Sequence, residues 1–198
     1  GWEESKKFAK LFVKAFAGPT ADSQIAIILF SGPSGYSTMR KCAGAGAGLD
    51  MEKDCKVKMV QHFSGDMSAT LTNIENMAWP RGTTLTSQAI ELANSELTLG
   101  RSDSQKVVLT ITDGIPLSSR STMTAAHRLK KSARLMFGAV KMSSRGLGYM
   151  MKWGSSPVKE NVIQIKSFQA LESLETVDAL VADMCRNVAV PTGSSGSR

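Results

Sequence analysis

No stretch of this sequence approaches the ~20 consecutive apolar residues that carry a helix across a membrane. The longest apolar run, Ile25 to Phe30, has the length of a buried strand. Nothing at the start reads as a signal peptide, because Gly1 leads straight into a charged amphipathic segment; any targeting segment lies outside these residues. Histidine and cysteine are scarce. Two histidines and three cysteines, with no Cys-x-x-Cys pair, exclude the usual zinc sites. There is no Gly-x-Ser-x-Gly elbow and no Walker phosphate loop. Ser31-Gly32-Pro33-Ser34-Gly35 is glycine-rich after a strand but lacks the lysine, and no helix is expected after it. Neither His62 nor His127 has an evident nucleophile partner, and His127 lies in a basic helix that should face solvent. An enzyme is therefore not expected.

Acidic residues are also the minority. Seventeen Asp and Glu against 24 Lys and Arg leave a formal charge of +7. A basic, soluble surface is the plainer explanation; an acidic partner (protein, glycan or lipid headgroup) is the alternative. The cations are scattered over Lys6, Lys7, Lys10, Lys14, Lys53, Lys56, Lys58, Arg128, Lys130, Lys131 and Arg134. No RNA-binding or zinc-finger signature accompanies them, so nucleic acid is not the expected partner.

What is present suits one globular domain: 198 residues, 42% hydrophobic and 21% charged. We expect a domain over residues 1–190 and a flexible Gly/Ser-rich tail over 191–198. Residues 2–17 place Phe8, Leu11, Phe12, Ala15 and Phe16 on one helical stripe, with Gly18-Pro19 as the stop. Strands are expected at 24–31, 106–112, 134–141 and 161–168, all buried, and at 56–63 on an edge. Helices are expected at 64–77, 87–97, 124–133 and 171–188, with a short one inside 142–160. In the last long helix Leu174, Val177, Leu180, Val181, Met184 and Val188 share a face, and Cys185 should be a buried thiol. Met150-Met151-Lys152-Trp153 reads as core or subunit contact. Residues 32–55, including AGAGAG at 43–48, read as exposed low-complexity loop. Cys42 and Cys55 bracket that insert and could close it by a disulfide in an oxidising compartment, provided that strands 24–31 and 56–63 form a hairpin. From residue 82 on, helix and strand alternate. This gives an α/β fold, a doubly wound and mainly parallel sheet with helices on both faces, whose ligands gather at the carboxyl ends of the strands.

Two features fall at that end. One is Asp113, which closes the strand Val107-Val108-Leu109-Thr110-Ile111-Thr112. The other is Gly82-Thr83-Thr84-Leu85-Thr86, at a helix N-terminus. A carboxylate and nearby hydroxyls are hard oxygen ligands suited to Mg²⁺. The plainer alternative is that Thr86 caps the helix and Asp113 opens a turn.

Four segments in order, Gly82 to Ile90, Val107 to Gly114, Leu135 to Val140 and Asn161 to Leu174, resemble the von Willebrand factor type A family of integrin I-like domains. The resemblance runs from Trp2 to Cys185. It implies a metal-ion-dependent adhesion site in which Thr84 is a ligand threonine, Thr86 a supporting hydroxyl and Asp113 the aspartate of the third loop. An acidic residue of a partner protein would complete the coordination of Mg²⁺. The family's first loop, Asp-x-Ser-x-Ser after a central first strand, is absent from these residues. The expected reason is that the sequence continues upstream; otherwise another segment or chain fills the gap. The resemblance implies a protein-binding module for adhesion or assembly, in an extracellular or ectodomain setting or an organelle lumen. A structural subunit with a degenerate metal site, or a regulatory module partnering an ATPase or chelatase, are the alternatives.

Overall fold

The computed structural model describes residues 1–17, 22–44 and 48–185. The expected helix stop at Gly18-Pro19, the middle of AGAGAG, the side chain of Cys185, Val188 and the tail over 191–198 lie outside the described residues.

In order the chain forms α1 (Trp2–Ala15), β1 (Ile25–Phe30), α2 (Tyr36–Ala43), β2 (Val57–Ser64), α3 (Met67–Glu75), α4 (Thr86–Glu96), β3 (Val107–Thr112), α5 (Ser119–Leu129), β4 (Arg134–Val140), α6 (Ser144–Trp153), α7 (Val158–Asn161), β5 (Val162–Ile165), α8 (Phe168–Leu171) and α9 (Leu174–Cys185). The apolar runs become the strands and the amphipathic stretches the helices. Serine and aspartate set several helix starts: Asp66, Ser118, Ser143 and Ser167 each accept a backbone N–H three residues on.

β3, β4 and β5 are parallel and in that spatial order, with Val107 opposite Arg134 and Phe137 opposite Val162. β1 and β2 form an antiparallel hairpin, with irregular register between Ile25 and Ile28. The sheet is therefore in two pieces. Among the described residues nothing pairs with the edge of β1 away from β2 or with the edge of β3 away from β4. The expectation that 24–31 and 106–112 are fully buried is corrected for this reason. β1 is half-buried along its whole length and β3 buries only Thr110 and Thr112 fully, whereas in β4 every residue after Arg134 is buried.

Three apolar clusters hold the layers. One face of β4 (Leu135, Phe137, Ala139) packs on α4, α5 and α6 through Ile90, Ala126, Leu129, Met150 and Trp153. Ile28 of β1 and Val108 of β3 both join this cluster, which therefore links the two sheet pieces. The other face, with Leu109, Ile111, Val140 and Ile165, packs on Phe8 of α1 and on Leu171, Val177 and Leu180. The third cluster, beneath the hairpin, gathers Cys42, Cys55, Val57, Leu85 and Ala89.

Five further expectations change. Residues 36–43 are the helix α2, not loop, and both cysteines of the insert are buried. α5 starts at Ser119, five residues earlier than its apolar pattern suggests, because Ser118 caps it. Within 161–168 only 162–165 is strand, and within it only Ile165 is buried while Gln164 is exposed, because β5 is an edge strand paired with β4 alone among the described residues. In α9 Leu174 is exposed, while Val177 and Leu180 are buried. α1 buries Lys6 and Val13 besides its apolar stripe, on which Ala15 is exposed. The Lys6 Nζ donates to the Glu75 carbonyl at 3.0 Å, and Lys10 holds the Glu75 carboxyl below the ordinary glutamate value.

Two buried ionic anchors were not visible in the sequence. Glu96 accepts the Phe63 N–H at 2.9 Å and lies 2.7 Å from His62 Nδ1, which ties the end of α4 to β2 and gives His62 a structural partner. Arg134 donates to Asn161 Oδ1 at 2.6 Å, to the Asp183 carbonyl at 2.7 Å and to the Glu160 carbonyl at 3.3 Å. It thus gathers β4, α7 and the last turn of α9, where a cation also meets the helix dipole. Hydrogen bonds to charged groups are worth about 1.5–3 kcal/mol each, and their loss leaves acceptors unmet. Arg134→Met is therefore expected to cost about 3 kcal/mol in urea unfolding; a loss under 1 kcal/mol would show that α9 docks by its apolar face alone.

Candidate metal and adhesion site

The carboxyl ends of β1 and β3 carry loops stitched together by backbone hydrogen bonds. Thr83 N–H donates to the Gly32 carbonyl at 3.0 Å, Leu85 N–H to the Ser31 carbonyl at 2.9 Å, and Leu117 N–H to the Thr84 carbonyl at 3.0 Å. The loop bearing Thr84 is thus clamped between the loop after β1 and the loop after β3.

This clamp brings Thr84 and Asp113 to one place. A Cβ added to Gly114, the residue after Asp113, would lie 2.2 Å from the Thr84 Oγ and 3.2 Å from its Cβ. Only glycine leaves room for that threonine. Gly82 is required in the same way: its φ is +143°, and a Cβ there would lie 1.9 Å from the Gly32 carbonyl oxygen. Asp113 is exposed, and among the described residues its carboxylate has no hydrogen bond or ion pair; Thr84 is half-buried. The Gly114 N–H is met by the Thr112 hydroxyl at 3.2 Å.

Thr86 does not cap α4. Leu85 occupies the N-cap with no side-chain hydrogen bond, and Thr86 begins the helix. Its hydroxyl is buried and has no partner among the described residues. An orphaned buried hydroxyl costs about 1–3 kcal/mol, and this one lies at the first residue of α4, two residues after Thr84. All three are hard oxygen donors and fit a small divalent cation in kind. They are too few in number: among the described residues no group of three or more His, Cys, Asp or Glu could hold a metal ion.

The model of the von Willebrand factor type A domain matches residues 1–177. The chain belongs to that family. Its fold is shared with solved structures of low sequence identity. Proximal thread matrix protein 1 from the mussel byssus superposes with a TM-score of 0.70 at 17% identity, over 93% of this chain and 42% of that one. The same protein with its MIDAS motif occupied by zinc gives a TM-score of 0.70 at 16% identity, over 93% and 43%. The pilus adhesin SpaC from Lactobacillus rhamnosus GG gives 0.69 at 14%, over 94% of this chain and 28% of that one. The manganese-loaded TRAP protein of Plasmodium vivax gives 0.61 at 14%, over 91% and 66%. This chain therefore spans less than half the length of the byssus protein and of the pilus adhesin. A comparison with curated proteins finds no match.

In this von Willebrand factor type A domain, the insert of the β1–β2 hairpin is closed by a disulfide. Cys42 and Cys55 are bonded at 2.03 Å with Cα atoms 5.6 Å apart, and both are fully buried against Val57 and Leu85. The Gly/Ser run after β1 is followed by α2, contrary to expectation, but still has no lysine, and Thr83 Oγ donates to the Pro33 carbonyl at 3.0 Å. His127 is exposed, while Met150 and Trp153 are core and Met151 is half exposed. No helix among the described residues is long and apolar enough to cross a membrane.

Proposed function

We propose that this domain is a protein-binding module for adhesion or assembly, which grips its partner with the surface at the carboxyl end of its sheet. What supports this reading is the close approach of Thr84 to Gly114, next to the unpaired Asp113 carboxylate, within a loop cluster clamped by backbone hydrogen bonds, with the orphaned Thr86 hydroxyl two residues further on. Support comes from the names of structures with the same fold, which include a pilus adhesin, a byssal matrix protein and metal-loaded forms with zinc or manganese. In this reading Thr84 and Asp113 contribute ligands to a divalent cation, Mg²⁺ among them, and Thr86 supports the site. The cation supplies a positive centre that a carboxylate of the partner completes. The chain's own residues hold the loops in register: Gly82 and Gly114 allow the close approach, and the three inter-loop hydrogen bonds fix it. The reading is recognition rather than turnover, in keeping with the adhesin and matrix proteins that share the fold.

Mg²⁺ dehydrates reluctantly and wants near-ideal octahedral geometry, so one carboxylate and one or two hydroxyls hold it weakly. Calorimetric titration of this chain with Mg²⁺, Mn²⁺ and Zn²⁺ is expected to give Kd values on the order of millimolar or weaker for Mg²⁺. Whatever binding is seen should vanish in Asp113→Ala. Binding that survives Asp113→Ala would move the site elsewhere and defeat the assignment.

A further inference from the structure

The loops that carry Thr84 and Asp113 also carry exposed apolar side chains. Trp79 is 60% exposed, Ile115 43% and Leu117 37%. In the chain Trp79 precedes the Gly82–Thr86 loop, and Ile115 and Leu117 follow Asp113. Leu117 is tied to Thr84 directly through the backbone.

Arg81 connects Trp79 to the Gly82–Thr86 loop. Its φ is +44°, a left-handed conformation that a residue with a side chain adopts at a cost. That turn seats its guanidinium over the Trp79 ring, 5.1 Å from the centroid, and lets its carbonyl accept from Ser31 Oγ at 3.4 Å. Among the described residues no carboxylate pairs with Arg81. Tryptophan and arginine are the side chains most enriched where a few residues dominate binding energy.

Three further cations at this end of the sheet have no carboxylate partner among the described residues, although Arg145 lies over the Tyr149 ring, 5.9 Å from its centroid. Arg120 lies in the first turn of α5, three residues after Leu117. Lys141 follows β4 directly and donates its N–H to the Ile165 carbonyl. Arg145 is in the first turn of α6, next to Gly146, whose added Cβ would touch Ile115 at 3.1 Å. No carboxylate ion pair occupies any of the three among the described residues. Among the described residues Asp113, Arg81, Arg120, Lys141 and Arg145 are thus all without an ion pair.

From these observations we infer a second, metal-independent grip: the Trp79–Arg81 bracket and the Ile115–Leu117 lip hold an acidic segment of the partner protein that also carries apolar side chains. The carboxylates meet Arg81 and its neighbouring cations, and the apolar side chains cover Trp79, Ile115 and Leu117. The inference rests on the reading that this end of the sheet is the binding face. It does not rest on a bound cation.

The test is a random peptide library displayed on phage, selected on the immobilised chain in EDTA after depletion on a Trp79→Ala/Arg81→Glu variant. Enrichment of peptides with Asp or Glu beside Leu, Ile, Phe or Tyr is expected. A synthetic peptide of the most enriched sequence should lose tenfold or more in affinity to Trp79→Ala and to Arg81→Glu separately. Thermal unfolding should show both variants folded, since both side chains are exposed. No enrichment, enrichment of sequences without acids, or affinity indifferent to both substitutions overturns the grip. A glycan array that binds sulfated or sialylated sugars through the same two residues, with no peptide selected, overturns it in favour of a sugar ligand. Asp113→Ala separates the two readings: peptide binding that persists there while the metal titration is blank keeps this grip and removes the metal site.

Discussion

Extending the chain ahead of Gly1 with six aliphatic residues followed by Asp-x-Ser-x-Ser is expected to stabilise it by about 5 kcal/mol and to tighten Mg²⁺ binding at least a hundredfold. The two sheet pieces set the first figure. Among the described residues β1 and β3 each present an unpaired edge, and Ile28 and Val108 from those strands pack into one apolar cluster with α4, α5 and α6. On the opposite face α1 packs against α3 on the hairpin side and against α8 and α9 on the other. A strand laid between β1 and β3 would therefore be covered on both faces. Each fully buried aliphatic side chain contributes about 1.5–3 kcal/mol. Ordering six residues costs about 1–2 kcal/mol apiece, so several kcal/mol remain, with backbone hydrogen bonds to both neighbours added. In a chain of this size that raises Tm by about 10–20 °C. The direction also fits. Gly1 packs against the ring of Phe168, which follows β5, so α1 departs from the carboxyl end of the sheet. A preceding strand parallel to β3 would end there, and its Asp-x-Ser-x-Ser would lie beside Thr84 and Asp113. Thermal unfolding and calorimetry read the two effects. An extended chain with unchanged Tm would show that the edges of β1 and β3 are not a strand's width apart. A gain in Tm without tighter Mg²⁺ binding would leave the fold intact and remove Thr84 and Asp113 from the metal.

How far the sequence alone reaches differs from element to element. β4 was legible because Leu135 to Val140 is apolar throughout and is buried on both faces, the one case in which composition and environment agree along a whole strand. β1 is as apolar in sequence, yet it is only half-buried, since burial depends on a neighbour that its own residues do not encode. α2 left almost no trace. It buries a single side chain, Cys42, and sits between glycine-rich stretches, so no stripe marks it. The start of α5 was hidden for the opposite reason: Ser119 to Thr124 is a polar run whose helical character comes from the Ser118 cap and from docking of Thr122 and Ala125.

The residues of the candidate site can be picked out in the sequence, but their arrangement cannot. Thr84 and Asp113 follow from a strand-end aspartate and a hydroxyl-rich helix start. That Thr86 begins the helix rather than capping it, and that its hydroxyl is left without a partner, depends on Leu85 taking the N-cap as it packs beside the disulfide. The Trp79–Arg81 bracket has no periodic signature at all. It arises from one left-handed residue in a turn, which sequence patterning does not resolve.

Removing the disulfide by Cys42→Ser with Cys55→Ser is expected to cost about 3 kcal/mol and to disturb the candidate site at a distance. The bond closes a loop with a sequence separation of 13, for which the chain-entropy account gives close to 3 kcal/mol. Two buried sulfurs exchanged for hydroxyls add an unmet polar cost, because both positions are fully buried among Val57, Leu85 and Ala89. The consequence for function runs through α2 and Leu85. Cys42 is the one buried residue of α2, so the reduced helix keeps little to hold it. Leu85 packs against both cysteines, and its N–H donates to the Ser31 carbonyl in the clamp that positions Thr84. Loss of the bond should therefore loosen the Thr83–Thr86 loop before the sheet unfolds. Hydrogen exchange read by mass spectrometry is expected to show faster exchange in 31–56 and 83–86, with β4 unchanged. Dithiothreitol should lower the Tm of the unsubstituted chain and leave that of the double variant unchanged. Equal exchange in 83–86 with and without the disulfide would confine its role to the hairpin insert and separate it from the binding face.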